Sequence, residues 1–191
     1  FMHCASELHL RVVMRIIRYV KGTSDFGVKF TWSKEFKLVG FSDSDWGGSI
    51  NDMRSTSGYC FTLGSSVFSW ILKKQEIVAQ STIEAEFIAV IASVNQALWL
   101  RKILMDLNLE QNESTKIFVD NQAAIAISHN PVFHGKTKHF NIKLFFLIEV
   151  QKEGLVTLVN CKSENQLADL LTKPLSVNRF EFLKREKIWS L

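Results

Sequence analysis

Cysteine and proline are scarce in this chain, and repeats and long polar tracts are missing. Each shortage closes off a class of protein. The three cysteines, Cys4, Cys60 and Cys161, are odd in number, widely separated and never spaced as C-x-x-C. A zinc finger and a disulfide-stapled scaffold are thereby excluded, and a reducing compartment is expected. With two prolines, Pro131 and Pro174, and no low-complexity stretch, the chain offers no extended linker. No apolar run reads as long enough to cross a bilayer, and Phe1-Met2-His3-Cys4 leads into polar, basic sequence rather than a signal peptide. No membrane partner is expected. Because the sequence opens on Phe rather than Met, it reads as a piece of something longer.

What is present suits one domain with an appended segment: 191 residues, 47% hydrophobic and 22% charged. A net charge of +4 and a pI near 9.0 suit a phosphate-bearing partner, yet many proteins without one are as basic. Charge alone therefore decides nothing. Along the chain, His9 to Val20 carries Leu10, Val13, Met14, Ile17 and Val20 at helical spacing, with an Arg/Lys face opposite. That stripe is expected to dock on a neighbour. Strands are expected over Phe26 to Trp32 and Phe36 to Ser42, then a hairpin from Gly58 to Leu63 and Val67 to Leu72 around Gly64-Ser65-Ser66.

Ser81 to Leu107 is the clearest helix, with Ile83, Phe87, Val90, Val94, Ala97, Leu98, Leu104 and Met105 on one face. A short strand, Lys116 to Val119, a short helix, Asn121 to Ser128, and a longer helix, Lys138 to Gln151, follow. Leu155 to Val159 is the last strand, and Ser163 with Gln166 has capping-box spacing for one more helix, stopped by Pro174. Adjacent strands followed by alternating units imply a mixed sheet with helices packed on it.

Four acids stand where a carboxylate has no evident structural duty: Asp43 after a strand, Glu86 beside an apolar helical stripe, Asp120 at a strand end and Asp169 on a short helix. At about 100° per residue Glu86 lies roughly 60° from the stripe centre and Glu84 roughly 100°, so Glu86 points nearer the sheet. Asp43 and Asp45 share one strand parity, which cannot choose between them. Taken singly, each acid has an ordinary reading: a turn-forming Asp, a rim Glu, an N-cap at Asp120, a first-turn acid at Asp169. Trp46 reads as packing. If the fold gathers the four, their mutual repulsion calls for hard cations with oxygen ligands, magnesium or manganese. A carboxylate-held pair of such ions is a known route to cutting phosphodiesters.

Taken together, the motifs resemble a family. Gly40-Phe41-Ser42-Asp43-Ser44-Asp45-Trp46, Arg54-Ser55-Thr56-Ser57-Gly58-Tyr59, Ser69-Trp70 with Lys73-Lys74-Gln75, and Ser81-Thr82-Ile83-Glu84-Ala85-Glu86-Phe87 are similar to the ribonuclease H domain of copia-type LTR retrotransposon Pol polyproteins. So are Val119-Asp120-Asn121-Gln122-Ala123-Ala124, Lys138-His139 and Ala168-Asp169-Leu170-Leu171-Thr172-Lys173-Pro174-Leu175. The resemblance implies an α/β fold, a ribonuclease H-like mixed five-stranded sheet flanked by helices, with an N-terminal helical segment. It implies three parts: residues 1–33 as the end of a reverse transcriptase or connection segment, 34–175 as the ribonuclease H-like domain, and 176–191 as a helical tail. Asp43, Glu86, Asp120 and Asp169 take the places of the catalytic, metal-binding carboxylates, holding two Mg2+ or Mn2+ ions. The implied activity is endonucleolytic hydrolysis of the RNA strand of an RNA–DNA hybrid, with Ser44, Thr82, Asn121, Gln122 and His139 as substrate contacts. The reverse transcriptase region of the same polyprotein is the implied partner. The implied location is a cytoplasmic virus-like particle, or the nucleus.

Some positions depart from the family pattern. Asn141, Phe145 and Ile148 stand where Asp, His and Arg are expected, and Met14 where a basic residue is common. The loop Val159-Asn160-Cys161-Lys162-Ser163-Glu164 lacks the mobile His of many cellular ribonucleases H, leaving His139 and His134 as substitutes. The alternative reading is an inert remnant that folds, binds nucleic acid at most, and cleaves nothing.

Overall fold

The parity of one strand decides the layering. In this computed structural model, residues 2–24, 27, 28, 30, 36–64, 66–129 and 138–187 are described. Strand β1 (Leu38–Ser44) has six of its seven residues buried, as a central strand must. Its odd positions Val39 and Phe41 join an apolar cluster with Cys60, Val67, Leu167 and Leu183. Leu38, of the other parity, joins the larger cluster with Phe61, Phe87, Val90, Ile117 and Leu144. Asp43 therefore faces the first layer and Ser44 the second.

Among the described residues five strands form one mixed sheet, in the order β3-β2-β1-β4-β5. Strands β2 (Thr56–Leu63) and β3 (Ser66–Lys74) extend β1 as an antiparallel meander, with Asp43 opposite Gly58. Strands β4 (Thr115–Val119) and β5 (Val156–Asn160) lie parallel to β1 on its other side. The β2–β3 turn is tight because Gly64 adopts a φ of 64°, where a Cβ is disfavoured. Parallel pairing requires crossovers, and helices provide them: α2 (Thr82–Asp106) between β3 and β4, then α3 (Gln122–His129) and α4 (Lys138–Lys152) between β4 and β5. A 3-10 turn (Ser163–Asn165), the four-residue α5 (Asp169–Thr172) and α6 (Val177–Lys187) complete the chain.

The larger core lies between the sheet and helices α2 and α4. Phe61 and Phe87 are fully buried, and the Phe87 and Phe140 rings meet with centroids 4.3 Å apart. Each such side chain contributes on the order of 1.5–3 kcal/mol by leaving water. The smaller core, between the sheet's other face and the segment from Gln166 onward, holds Leu167, Ala168 and Leu183.

Several expectations need correction. Strand β1 runs two residues further than expected, so Asp43 lies inside it rather than after it. The stripe of helix α1 (Glu7–Gly22) has no docked neighbour among the described residues: none of its residues is buried, and Leu10, Val13, Met14, Ile17 and Val20 are exposed. By length and composition α2 is apolar enough to cross a bilayer, contrary to the sequence reading. Its apolarity has another cause, since it packs across β1 and β2 and buries Phe87, Val90, Val94, Ala97, Leu100 and Leu104 in the core. Met105, expected on that buried face, is exposed. The strand expected over 26–32 falls largely outside the described residues, as do Ser65, Pro131 and His134.

Candidate metal centre

Asp43 is fully buried at the sixth position of β1. One carboxylate oxygen, Oδ1, accepts a hydrogen bond from Lys173 Nζ at 2.9 Å, and Oδ2 accepts one from Thr172 Oγ1. Asp169 opens α5 and is 3% exposed. Its Oδ1 accepts from the same Lys173 Nζ at 2.9 Å, and its Oδ2 accepts from Arg179 Nη2 at 2.7 Å. Asp120 follows β4 directly; its Oδ2 accepts from Ser163 Oγ at 3.1 Å and lies 4.0 Å from Lys173 Nζ. Asp43, Asp120 and Asp169 each present an oxygen within 4.8 Å of the other two. Three elements distant in sequence thus bring their carboxylates to one point at the ends of β1 and β4.

Glu86, in the first turns of α2, stands outside that 4.8 Å group. It is 6% exposed; Oε1 accepts from the Ser44 N–H at 3.3 Å, while Oε2 is buried with no hydrogen-bond partner. Burial, reinforced by the charges of Asp43 and Asp120, pushes its carboxyl up to about 9 against the weaker pull of Ser44 N–H and Lys173. Glu84, by contrast, turns outward and accepts from Gln80 N at 2.8 Å. The helical angle had distinguished these two glutamates, and the structure agrees.

The choice between Asp43 and Asp45, which parity left open, falls to Asp43. Asp45 lies beyond β1 and uses Oδ1 to hold the Thr56 N–H at the start of β2, a structural contact between strands rather than the turn-forming role expected of it. Nor does Asp120 cap the next helix: Asn121 Oδ1 accepts from Ala124 N at 3.1 Å and does so instead. The capping box read at Ser163 and Gln166 does not form. Ser163 Oγ goes to Asp120, and the buried Gln166 amide donates to Ser42 O at 3.0 Å and Phe118 O at 3.3 Å. Gln166 thereby ties the segment carrying Asp169 to the ends of β1 and β4.

An open cavity of about 700 Å3 lies over the acids, lined by Glu86, Asp120, Lys173 and Trp46 and by four of the expected substrate contacts, Ser44, Thr82, Asn121 and Gln122. Thr82 and Gln122 are exposed there. Ser44 is committed to the fold, its one hydroxyl proton shared between Asp45 O and Thr56 O and its Oγ accepting from Gln75 Nε2. Trp46, expected to pack, is 56% exposed, with its indole N–H donating to Ala79 O. His139 is the second residue of α4, but its side chain lies outside the described residues. Cys161 lies near the acids; burial first, then the charges of Asp120, Asp169 and Asp43, push its thiol up to about 11, so it is no thiolate nucleophile at neutral pH.

Sequence reasoning gave no role to Lys173, Arg179 or Thr172, and gave Gln166 a capping role that it does not have. For Lys173 a signal existed: it stands four residues after Asp169, one helical turn, where opposite charges meet. Burial pulls its ammonium down, but hydrogen bonds and charge from Asp169 and Asp43 outweigh this and raise it above its ordinary value. For Arg179 no local pattern existed, and for Gln166 the local pattern pointed to the wrong partner.

The donor set suits a hard divalent cation. All four candidate ligands offer carboxylate oxygens, and the unpartnered buried Oε2 of Glu86 lacks the partner that a buried acceptor requires.

The fold is ribonuclease H-like. A ribonuclease H1 crystallised with an RNA/DNA hybrid superposes with a TM-score of 0.51 at 14% identity, covering 71% of this chain and 94% of that one. A foamy viral protease–reverse transcriptase, also in complex with an RNA/DNA hybrid, superposes with a TM-score of 0.53 at 13% identity over 76% of this chain and 22% of its own. By sequence, the chain is a homologue of one segment of the Pol polyproteins of plant retrotransposons. It is 36% identical over 181 residues, 95% of its length, to the retrovirus-related Pol polyprotein from transposon RE1 of Arabidopsis thaliana. It is 33% identical over 96% of its length to that from transposon TNT 1-94 of Nicotiana tabacum. It spans 12% and 14% of those polyproteins. No family model matches it.

Proposed function

We propose that the chain is the ribonuclease H part of a retrotransposon Pol polyprotein, a metal-dependent endonuclease that hydrolyses the RNA strand of RNA–DNA hybrids. One observation carries the reading: on a ribonuclease H-like sheet, Asp43, Asp120 and Asp169 converge within 4.8 Å, with buried Glu86 beside them. The retrotransposon relatives support the polyprotein context. In that context residues 1–33 end the preceding reverse transcriptase segment, 34–175 form the nuclease, and 176–191 a tail whose Arg179 reaches back to Asp169. A virus-like particle in the cytoplasm, or the nucleus, is where such a polyprotein would act.

Asp43, Glu86, Asp120 and Asp169 would hold two magnesium or manganese ions. Bound there, the ions would lower the pKa of the attacking water and steady the leaving 3′ oxygen. The protein's own part is positional. Gln166 and Thr172 fix where Asp169 and Asp43 point, and Asn121 fixes the start of α3 beside Asp120. Thr82 and Gln122 offer polar groups at the open cavity, suited to phosphate contacts and to the sugar 2′-hydroxyl contacts that distinguish RNA from DNA. His139 is the remaining candidate contact.

The test is cleavage of a labelled RNA–DNA hybrid in magnesium and in chelator, with wild type and Asp120→Asn. We expect cutting only with the metal and a loss on the order of a hundredfold or more in the variant. An unchanged rate in Asp120→Asn, or cutting in chelator, would overturn the assignment. A second reading, a folded homologue that grips hybrid without cutting it, draws on Lys173 and Arg179, which already occupy oxygens of Asp43 and Asp169. Hybrid binding with no magnesium-dependent turnover would establish it.

A further inference from the structure

The candidate centre already contains a cation. Lys173 Nζ lies 2.9 Å from an oxygen of Asp43, 2.9 Å from an oxygen of Asp169 and 4.0 Å from one of Asp120. These are the same aspartates whose oxygens lie within 4.8 Å of one another. A hard divalent ion draws on carboxylate oxygens at about 2.0–2.6 Å, so it needs the lone pairs that the ammonium now holds. Two cations cannot share that point.

We propose that Lys173 is a resident counter-ion of the acid cluster, which holds the three aspartates together without metal and leaves the cluster when a divalent ion binds. The inference rests on the reading of these acids as a metal centre. Several features suit an exchangeable counter-ion. The Lys173 side chain is 37% exposed, whereas those of Asp43 and Asp169 are 0% and 4% exposed, so the cation alone has a path outward. That path leads into the cavity it lines with Glu86 and Asp120. Its stem is flexible and its ammonium strongly hydrated, so release returns it to water at little strain. Arg179 differs: it also bonds Ser163 O, and it takes the other oxygen of Asp169, leaving Oδ1 for the exchange. The bracing by Thr172, Ser163 and Gln166 keeps the aspartates in place when the ammonium moves.

The test is manganese binding by titration calorimetry to wild type and Lys173→Met, both started in chelator. Removing the competitor should tighten manganese at least tenfold and enlarge the rise in melting temperature that manganese produces. Equal affinities in the two proteins would overturn the counter-ion inference while leaving the metal centre standing. No binding to either protein would overturn both. A second measurement needs no variant. Acetylation of wild type by an amine-reactive reagent, read by mass spectrometry, should rise severalfold at Lys173 when manganese is added and stay constant at exposed Lys102. Lys173 acetylation unchanged or reduced by manganese would overturn the exchange.

Discussion

Glu86→Gln is the most informative perturbation, because it separates the electrostatics of the centre from its catalysis. Glu86 is buried, and its carboxyl is pushed from 4.5 up to about 9, first by burial and then by Asp43 and Asp120. A carboxyl raised in this way favours the fold while protonated. Its contribution is fully present below pH 4.5 and is lost as pH rises through about 9. At about 1.4 kcal/mol per pH unit, keeping that proton at pH 7 destabilises the fold by about 3 kcal/mol relative to a chain ionising at 4.5. That corresponds to roughly 6–12 °C in melting temperature for a chain of this size. Glutamine keeps the shape and the acceptor for Ser44 N–H but needs no proton. In chelator, Glu86→Gln should therefore be more stable than wild type at pH 8, and the gap should close as pH falls to 4.5. Urea unfolding along a pH series measures it. A gap that does not change with pH, or a less stable variant at pH 8, would refute the account. Lys173 does not cancel the trend: its ammonium is raised too, so its contribution holds below the ordinary lysine value and is lost only at strongly alkaline pH.

Two further predictions concern the supports of the site. At Gly58, paired with Asp43, an added Cβ would lie 2.6 Å from Thr172 Cγ2 and 3.1 Å from Leu171 Cβ, so Gly58→Ala should push α5 off the sheet. We expect a loss of about 1–3 kcal/mol by urea unfolding, together with weaker manganese binding; wild-type values for both would mean α5 is free to shift. Gln166→Leu leaves Ser42 O and Phe118 O without this donor. A loss of about 1–3 kcal/mol is expected, and a fully stable variant would show that the amide does not hold Asp169 in place.

Much of this architecture could be read from local pattern, and the parts that could not share one physical cause. Period-two and period-3.6 signals placed the strands and helices from β1 to β5 to within a few residues, because burial on one face leaves its mark on neighbouring positions; beyond β5 the single helix expected up to Pro174 is a 3-10 turn and a separate four-residue helix. The same logic picked Glu86 over Glu84 from angle alone. It failed where a side chain answers to a partner far along the chain. Asp43 and Asp45 have identical parity, and what separates them is that one meets Lys173 and the other Thr56. Ser163 and Gln166 have the spacing of a capping pair, but their real partners are Asp120, Ser42 and Phe118, 43 to 124 residues away. No local rule competes with such contacts once the sheet has fixed where the strand ends lie.

The stripe of α1 marks the opposite limit. Its pattern was read correctly as an amphipathic helix, yet the partner that the pattern implied is absent among the described residues. Periodicity states that a face is apolar; only a fold states what covers it. The acid cluster obeys the same distinction. Four carboxylates at element ends argued for a hard divalent ion; three of them gather, and the positive charge the structure places among them is the ammonium of Lys173. Charge balance demands a positive partner without naming it. Whether the partner is an ammonium or a divalent ion depends on which binds those oxygens more strongly, and the exchange between them is therefore the property of this site that most needs measuring.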